Sequence, residues 1–227
     1  MKIKRPSVSA IVPAAGTGSR MNSKTKKQFL EINGKPVIAH TLIRLSFCEK
    51  IDEIIVVTGK DDILYMTDII KAFGINKVGV VTAGGATRQE SVEKGALEAK
   101  GDYLLIHDGA RPLITRKEIE GAIEAGIKYR AAAVGIPLED TIKLSDEDGF
   151  SIKTLPRDNI IRIQTPQVIE KKLYFEALSF AKENNISATD DISLVEALGI
   201  KPKITPGSRM NIKITRPDDI ETAEKLI

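Results

Sequence analysis

A chain of 227 residues, 42% hydrophobic and 29% charged, is long enough to bury a real core and gives no case for two independent domains. The formal net charge of +3 and an aromatic content of 4% disfavour a nucleic-acid partner, which calls for a concentrated basic face interleaved with stacking rings, and suit small anionic ligands better. The single Cys48 excludes an internal disulfide, two histidines disfavour a Cys/His zinc site, and neither a membrane-length apolar run nor a signal-peptide pattern is found. The expectation is a cytoplasmic protein without membrane contact, with Cys48 buried at a helix end.

Val8 to Val12 reads as a short apolar strand, after which Ala14, Ala15, Gly16 and Gly18 let the backbone turn sharply and approach a ligand closely. Arg20 and Lys27 follow, a five-donor fork and a mobile ammonium suited to phosphate oxygens. The loop is not a P-loop, since no G-x-x-x-x-G-K-[ST] is present, and Met21 stands where a dinucleotide fingerprint needs its third glycine. By itself the loop also fits a plain tight turn, and Lys24, Lys26 and Lys27 fit a solvated basic face.

Asn33-Gly34-Lys35-Pro36 reads as a turn, with Pro36 at the first helical position of a helix that carries Ile38, Leu42 and Leu45 on one face. Ile54 to Thr58 is a second strand. Asp61 or Asp62 caps a helix with Ile63, Met66, Ile69, Ile70 and Phe73 at helical spacing, and Gly74 ends it. Val78 to Thr82 is a third strand, leading into a second glycine turn, Ala83-Gly84-Gly85, with Arg88 and Ser91 at the head of the next helix. Tyr103 to His107 is a fourth, running into Asp108-Gly109-Ala110-Arg111-Pro112. Asp108 there suits a metal, a ribose hydroxyl or a cation, or else a turn cap paired with Arg111; His107, inside the apolar strand, reads as structural.

Polar signals that always follow strands, with helices between the strands, imply a Rossmann-like, doubly wound, mostly parallel α/β sheet whose three turns converge on one crevice. A helix at Arg116 to Tyr129 and a strand at Ala131 to Ile136 continue the rhythm. It then changes to short strands at Leu138 to Leu144, Phe150 to Leu155 and Ile160 to Gln164, an inserted β-hairpin arm at about residues 137–163. Its open edges are suited to pairing with a second subunit. Gln164-Thr165-Pro166-Gln167 leads into a helix from Lys171 to Glu183, Thr189-Asp190-Asp191 caps the next helix, Lys201 to Thr205 and Asn211 to Ile214 read as strands, and Pro217 opens a last helix.

The series Ala14-Ala-Gly-Thr-Gly-Ser-Arg-Met21, Lys27-Gln-Phe-Leu30, Gly84-Gly85 with Arg88 and Ser91, Ile106-His-Asp-Gly-Ala-Arg-Pro112, Asp140-Thr-Ile-Lys143, Gln164-Thr-Pro-Gln167, Thr189-Asp-Asp191 and Asn211-Ile-Lys-Ile-Thr215 closely resembles the 2-C-methyl-D-erythritol 4-phosphate cytidylyltransferase family over essentially the whole of 1–227. The resemblance implies transfer of CMP from CTP to 2-C-methyl-D-erythritol 4-phosphate with Mg²⁺, by a homodimer whose hairpin arms cross into the partner's site. It implies that Ala14, Ala15, Gly16 and Gly18 hold the triphosphate, that Gly85, Arg88, Ser91 and Gly109 contact the nucleotide, and that Arg20 and Lys27 stabilise the transition state. Asp108 is implied at the nucleotide and metal region. Arg157 and Lys213, with Arg111, Thr141 and Thr189, are implied at the sugar phosphate. The chain departs from the family's common pattern at Lys26, where proline is usual, and at Gly109, where alanine is usual. A ribitol-5-phosphate cytidylyltransferase, or a CTP-binding module without turnover, is the alternative.

Overall fold

The computed structural model describes residues 5–16 and 25–227. Its centre is a seven-stranded sheet in the order β11-β7-β10-β6-β1-β4-β5. These strands are β1 (Val8–Pro13), β4 (Glu53–Thr58), β5 (Val78–Ala83), β6 (Tyr103–Ile106), β7 (Ala131–Pro137), β10 (Ile161–Glu170) and β11 (Lys203–Pro206). β1 runs parallel to both β4 and β6, β4 to β5 and β7 to β11, whereas β10 is antiparallel to β6 and β7. The sheet is therefore mostly parallel, with one reversed strand.

Strand alternation sorts the apolar residues onto two faces. Val8, Ala10 and Val12 of β1 and Ile54 and Val56 of β4 join one buried cluster; Ile11, Ile55 and Val57 join the other. The first face packs on α1 (Val37–Ser46), α2 (Ile63–Ala72) and α4 (Arg116–Tyr129) through Ile38, Leu42, Met66, Ile69, Ile119 and Ile123. The second packs on α3 (Arg88–Glu98), α5 (Lys171–Glu183) and α6 (Asp191–Ala197) through Val92, Ala96, Leu173, Tyr174 and Ile192. Strands buried on both faces explain the continuous apolar runs of the sequence. Gly95 lets α3 lie close to the sheet, since a Cβ there would come within 2.6 Å of Ile11 and 2.9 Å of Val57. α7 (Pro217–Leu226) closes the chain over a third, smaller cluster that includes Ile32, Val37 and Ile214.

The arm is a hairpin of β8 (Ile142–Ser145) and β9 (Ser151–Leu155), which among the described residues pair only with each other. Its turn holds Gly149 at φ +88°, and Leu144, Phe150 and Ile152 are exposed.

Four sequence expectations are corrected. Pro36 does not open α1: it pairs in a two-residue hairpin of β2 (Glu31–Ile32) and β3 (Lys35–Pro36) across Asn33-Gly34, both at positive φ, and α1 begins one residue later. The strand expected at Ile160 to Gln164 does not stop there: residues 164–170 form the second half of β10, which runs into α5 at Lys171 as expected, and Pro166 is accommodated where the register with β7 shifts between Ile163 and Gln167. Asn211 to Ile214 form no strand; that segment is tied down by single bonds, such as the Ile214 N–H to the Ala110 carbonyl at 2.8 Å. Neither Asp61 nor Asp62 caps α2. Cys48 is buried just past α1, as expected.

Candidate active site

The order of the sheet reverses between β1 and β6: from β1 the chain proceeds outward to β4 and β5 on one side, and from β6 it passes to β7 on the other, with β10 later inserted between them. Ligands in such sheets bind beyond the carboxyl ends of the strands at that point. Three turns meet there. The Ala14 N–H bonds the Val57 carbonyl at 2.7 Å, the Gly84 N–H bonds Thr58 at 2.8 Å, and the Gly109 N–H bonds Pro13 at 3.2 Å, so each turn is tied to a neighbouring strand end. A cavity of about 220 Å³ lies between them, lined by Ala14, Ala15, Gly16, Lys27, Gly85, Arg88, Ser91, Asp108, Gly109 and Lys213 among others.

Glycine is needed where the turns touch. A Cβ at Gly84 would lie 2.7 Å from both Ala15 Cβ and Ser91 Oγ, so any side chain would push the two loops apart. The head of α3 is locked by Thr87, whose hydroxyl accepts from the Glu90 N–H at 3.1 Å, while Glu90 accepts from the Ala86 N–H at 2.9 Å. The Ser91 hydroxyl accepts from the Gly85 N–H at 3.1 Å and donates to the Thr87 carbonyl at 2.9 Å. Ser91 thus shapes the loop, and the positive end of α3 faces the cavity.

Asp108 is the electrostatic centre. Its carboxylate meets Lys213 Nζ at 2.9 Å, Arg88 Nε at 3.4 Å and Arg111 Nε at 3.5 Å. Burial alone would raise its pKa, but Lys213, then Arg88 and Arg111, hold it well below the usual carboxylate range. Arg88 in turn bonds the buried Asp191 at 2.8 Å. Burial works against the Arg88 charge, and Asp191 and Asp108 overcome it, so its pKa is raised. Three cations face two carboxylates here, an excess of positive charge at the cavity wall.

His107 braces this centre. Its Nε2 lies 3.2 Å from the Arg111 carbonyl, which can only accept, so that nitrogen carries the proton. Nδ1, 3.1 Å from Thr165 Oγ1, accepts the threonine hydroxyl, and the same oxygen accepts from the Asp108 N–H at 3.1 Å. Complete burial pushes the His107 pKa down to about 4, so the ring is neutral.

Lys27 opens a short 3-10 turn, Lys27–Phe29, and Gln28 fastens that turn to the glycine loop by donating to the Ala14 carbonyl at 2.7 Å. Lys213, on the irregular segment before α7, borders a second cavity of about 240 Å³ that is lined by Arg111, Arg162, Gln164, Arg209 and Asn211 among others. The two cavities adjoin at Lys213.

The structure thus brings Ala14, Ala15, Gly16, Lys27, Gly85, Arg88, Ser91, Asp108, Gly109 and Lys213 around one cavity and Arg111 to its neighbour. Gly18 and Arg20 lie outside the described residues. Thr141, Arg157 and Thr189 are exposed and line neither cavity; Arg157 donates to the Glu139 carbonyl at the root of the arm. Sequence reasoning missed Thr87, Asp191, Thr165 and Arg162. For Thr87 a signal existed, the capping-box spacing to Glu90; Arg162 carries no local signal at all.

A doubly wound sheet with a cationic, glycine-walled cavity at its switch point is built to hold the phosphates of a nucleotide. A family model described as IspD, 2-C-methyl-D-erythritol 4-phosphate cytidylyltransferase, matches residues 8–227, and the chain belongs to that family. A protein of that name from Syntrophus aciditrophicus is 42% identical over 226 residues, covering 98% of this chain and 97% of its own. One from Caldanaerobacter subterraneus subsp. tengcongensis is 44% identical over 220 residues, covering 96% and 97%. Among solved structures, the 4-diphosphocytidyl-2C-methyl-D-erythritol synthase of Anaerococcus prevotii superposes with a TM-score of 0.85 at 32% identity, covering 97% of this chain and 96% of its own.

Proposed function

We propose that this chain transfers CMP from CTP to 2-C-methyl-D-erythritol 4-phosphate, giving 4-diphosphocytidyl-2-C-methyl-D-erythritol and pyrophosphate. The observation that carries the reading is the meeting of three turns on one cavity whose cations continue, through Lys213, into a second basic cavity. Two adjoining cationic spaces suit two phosphorylated substrates.

An oxygen of the acceptor phosphate attacks the α-phosphorus of CTP, the bond from that phosphorus to the bridging oxygen of the β-phosphate breaks, and pyrophosphate leaves in line. No proton need move and no protein atom is alkylated or phosphorylated, so the chain contributes position and charge. Ala14, Ala15, Gly16 and Gly18 surround the triphosphate, with Gly85, Arg88, Ser91, Asp108 and Gly109 around the nucleotide. Lys27 and Arg20 meet the charge that grows on the α-phosphate and the leaving group. Arg111 and Lys213 hold the acceptor from this protomer. Arg157 and Thr141, carried on the arm, serve a second copy's site, and Thr189 is assigned to the acceptor by the family resemblance alone.

Dimerisation through the arm is part of the same reading. A lone two-stranded hairpin is at best marginally stable in water, and this one exposes Leu144, Phe150 and Ile152. A cytoplasmic location belongs to it as well, because CTP is a cytoplasmic metabolite; among the described residues no helix is long and apolar enough to cross a membrane.

Asp108 is the one acidic side chain among the described residues that line the first cavity, and those residues hold no group of three or more histidine, cysteine or carboxylate side chains for a metal cage. A single ionised carboxylate fits Mg²⁺, which is commonly held by one or two carboxylates, substrate phosphates and water. Mg²⁺ at Asp108 would neutralise phosphate charge, and it would share the carboxylate with Lys213, Arg88 and Arg111, which contact the same oxygens.

The test is pyrophosphate release from CTP and Mg²⁺. Release that requires 2-C-methyl-D-erythritol 4-phosphate supports the reading, and release that is indifferent to the acceptor contradicts it.

A further inference from the structure

Lys26 stands directly before the lysine that the reading above sets against the leaving group, and the structure shows what its side chain holds. Lys26 Nζ lies 2.5 Å from Asp62 Oδ2, and the Asp62 side chain is only 16% exposed. Asp62 is the residue before α2 and has the sequence of a helix cap, yet its side chain makes no capping bond. Its carboxylate is turned to Lys26 instead. Room for the pair comes from Gly59, where a Cβ would sit 2.5 Å from Asp62 Oδ2 and 3.4 Å from Lys26 Nζ.

A second contact acts on the same turn. Phe29, at its far end, meets the ring of Tyr65 on the first part of α2 edge to face, with centroids 4.9 Å apart. The turn is closed within itself by the Phe29 N–H to the Lys26 carbonyl at 2.9 Å. Lys27 is thus carried by the four residues Lys26 to Phe29, whose two ends are both fastened to the start of α2.

We propose that Asp62 and Lys26 are positioning residues: their ion pair fixes the turn that aims the Lys27 ammonium into the cavity, and does by charge what a proline does by ring closure. The backbone supports the equivalence. Lys26 has φ −62° and ψ 138°, the extended conformation to which proline's fixed φ corresponds. The inference rests on the reading of Lys27 given above.

Steady-state kinetics on the full chain test it, with thermal unfolding measured alongside. Asp62→Asn and Lys26→Ala should each lower kcat about five- to tenfold while moving KM for CTP less than about twofold, because a loosened turn misplaces a group that acts in the transition state. Lys26→Pro should recover most of the rate lost in Lys26→Ala, and Asp62→Asn added to Lys26→Pro should cost nothing more, a rescue that general destabilisation would not give. An unchanged kcat in Asp62→Asn, or Lys26→Pro as slow as Lys26→Ala, overturns the clamp. Lys27→Ala separates the two levels: a folded Lys27→Ala enzyme with full activity overturns both the role of Lys27 and the clamp, whereas a slow Lys27→Ala beside a fully active Asp62→Asn overturns the clamp alone.

Discussion

The neutral, buried His107 makes acid sensitivity of the fold calculable. The perturbation is His107→Asn, which keeps a polar side chain beside Thr165 and Arg111 but cannot take up a proton. In the native state the imidazole pKa is pushed down to about 4 by burial, whereas an unfolded chain titrates near its ordinary value of 6.5. Between those values the unfolded state binds more protons than the folded one, so stability rises with pH and is lost on acidification below about 6.5. Full titration of the difference amounts to about 3 kcal/mol, and the part that falls between pH 7 and pH 5 is about 2 kcal/mol. For a chain of this length that corresponds to roughly 4–8 °C in Tm. The assay is urea unfolding of both proteins at pH 7 and pH 5. Wild type should lose about 2 kcal/mol more than His107→Asn over that interval, whatever the absolute stability of the variant. Equal losses, within about 0.5 kcal/mol, would refute the view that a neutral His107 braces Asp108 and Arg111.

Lys27→Ala should lower kcat by about 10²–10³, the cost of removing a group that meets developing charge, with Tm little changed; stopped or continuous pyrophosphate assays report it, and full turnover removes Lys27 from the mechanism. Arg157→Ala should raise KM for the sugar phosphate about tenfold or more and leave KM for CTP nearly unchanged, the loss of one charged hydrogen-bonding group; equal effects on both substrates contradict its assignment to the acceptor. If the arm pairs two copies as proposed, Phe150→Glu near its turn should weaken that association by at least about tenfold in light scattering after gel filtration, since an aromatic buried in the contact contributes about 1.5–3 kcal/mol; a wild-type monomer, or a dimer unchanged in the variant, contradicts the role of the arm.

The sheet was legible because β1, β4 and β6 are short apolar runs followed by polar turns, and α4 and α5 have the expected bounds because their apolar periodicity is strong. β10 was only half legible. Gln164-Thr165-Pro166-Gln167 has the composition of a loop, and only tertiary context turns it into a buried strand, where Gln167 accepts from the N–H groups of Asp191 and Ile192 at 2.9 and 3.0 Å. Asp62 misled in the opposite direction: its position is that of a cap, but an ion pair with Lys26, thirty-six residues away, takes its carboxylate. The glycine turns were readable as ligand surfaces since small residues after strands are a local signal. The pair of Asp108 with Arg111, three residues on, was readable as well; that Asp108 also gathers Lys213 and Arg88 was not, because partners so far apart in sequence meet only through the crossovers of the sheet. The arm was visible as a break in rhythm, while the second cavity beside Arg162 and Arg209 had no sequence signature.

The central claim is the identity of the acceptor. The direct measurement is ³¹P NMR of the purified chain with CTP, Mg²⁺ and equal concentrations of 2-C-methyl-D-erythritol 4-phosphate and ribitol 5-phosphate. The account predicts that, of the two acceptors, methylerythritol phosphate alone is consumed together with an equal amount of CTP, with a cytidine diphosphate diester and pyrophosphate formed one for one. Consumption of ribitol 5-phosphate instead, or of neither acceptor, would contradict it.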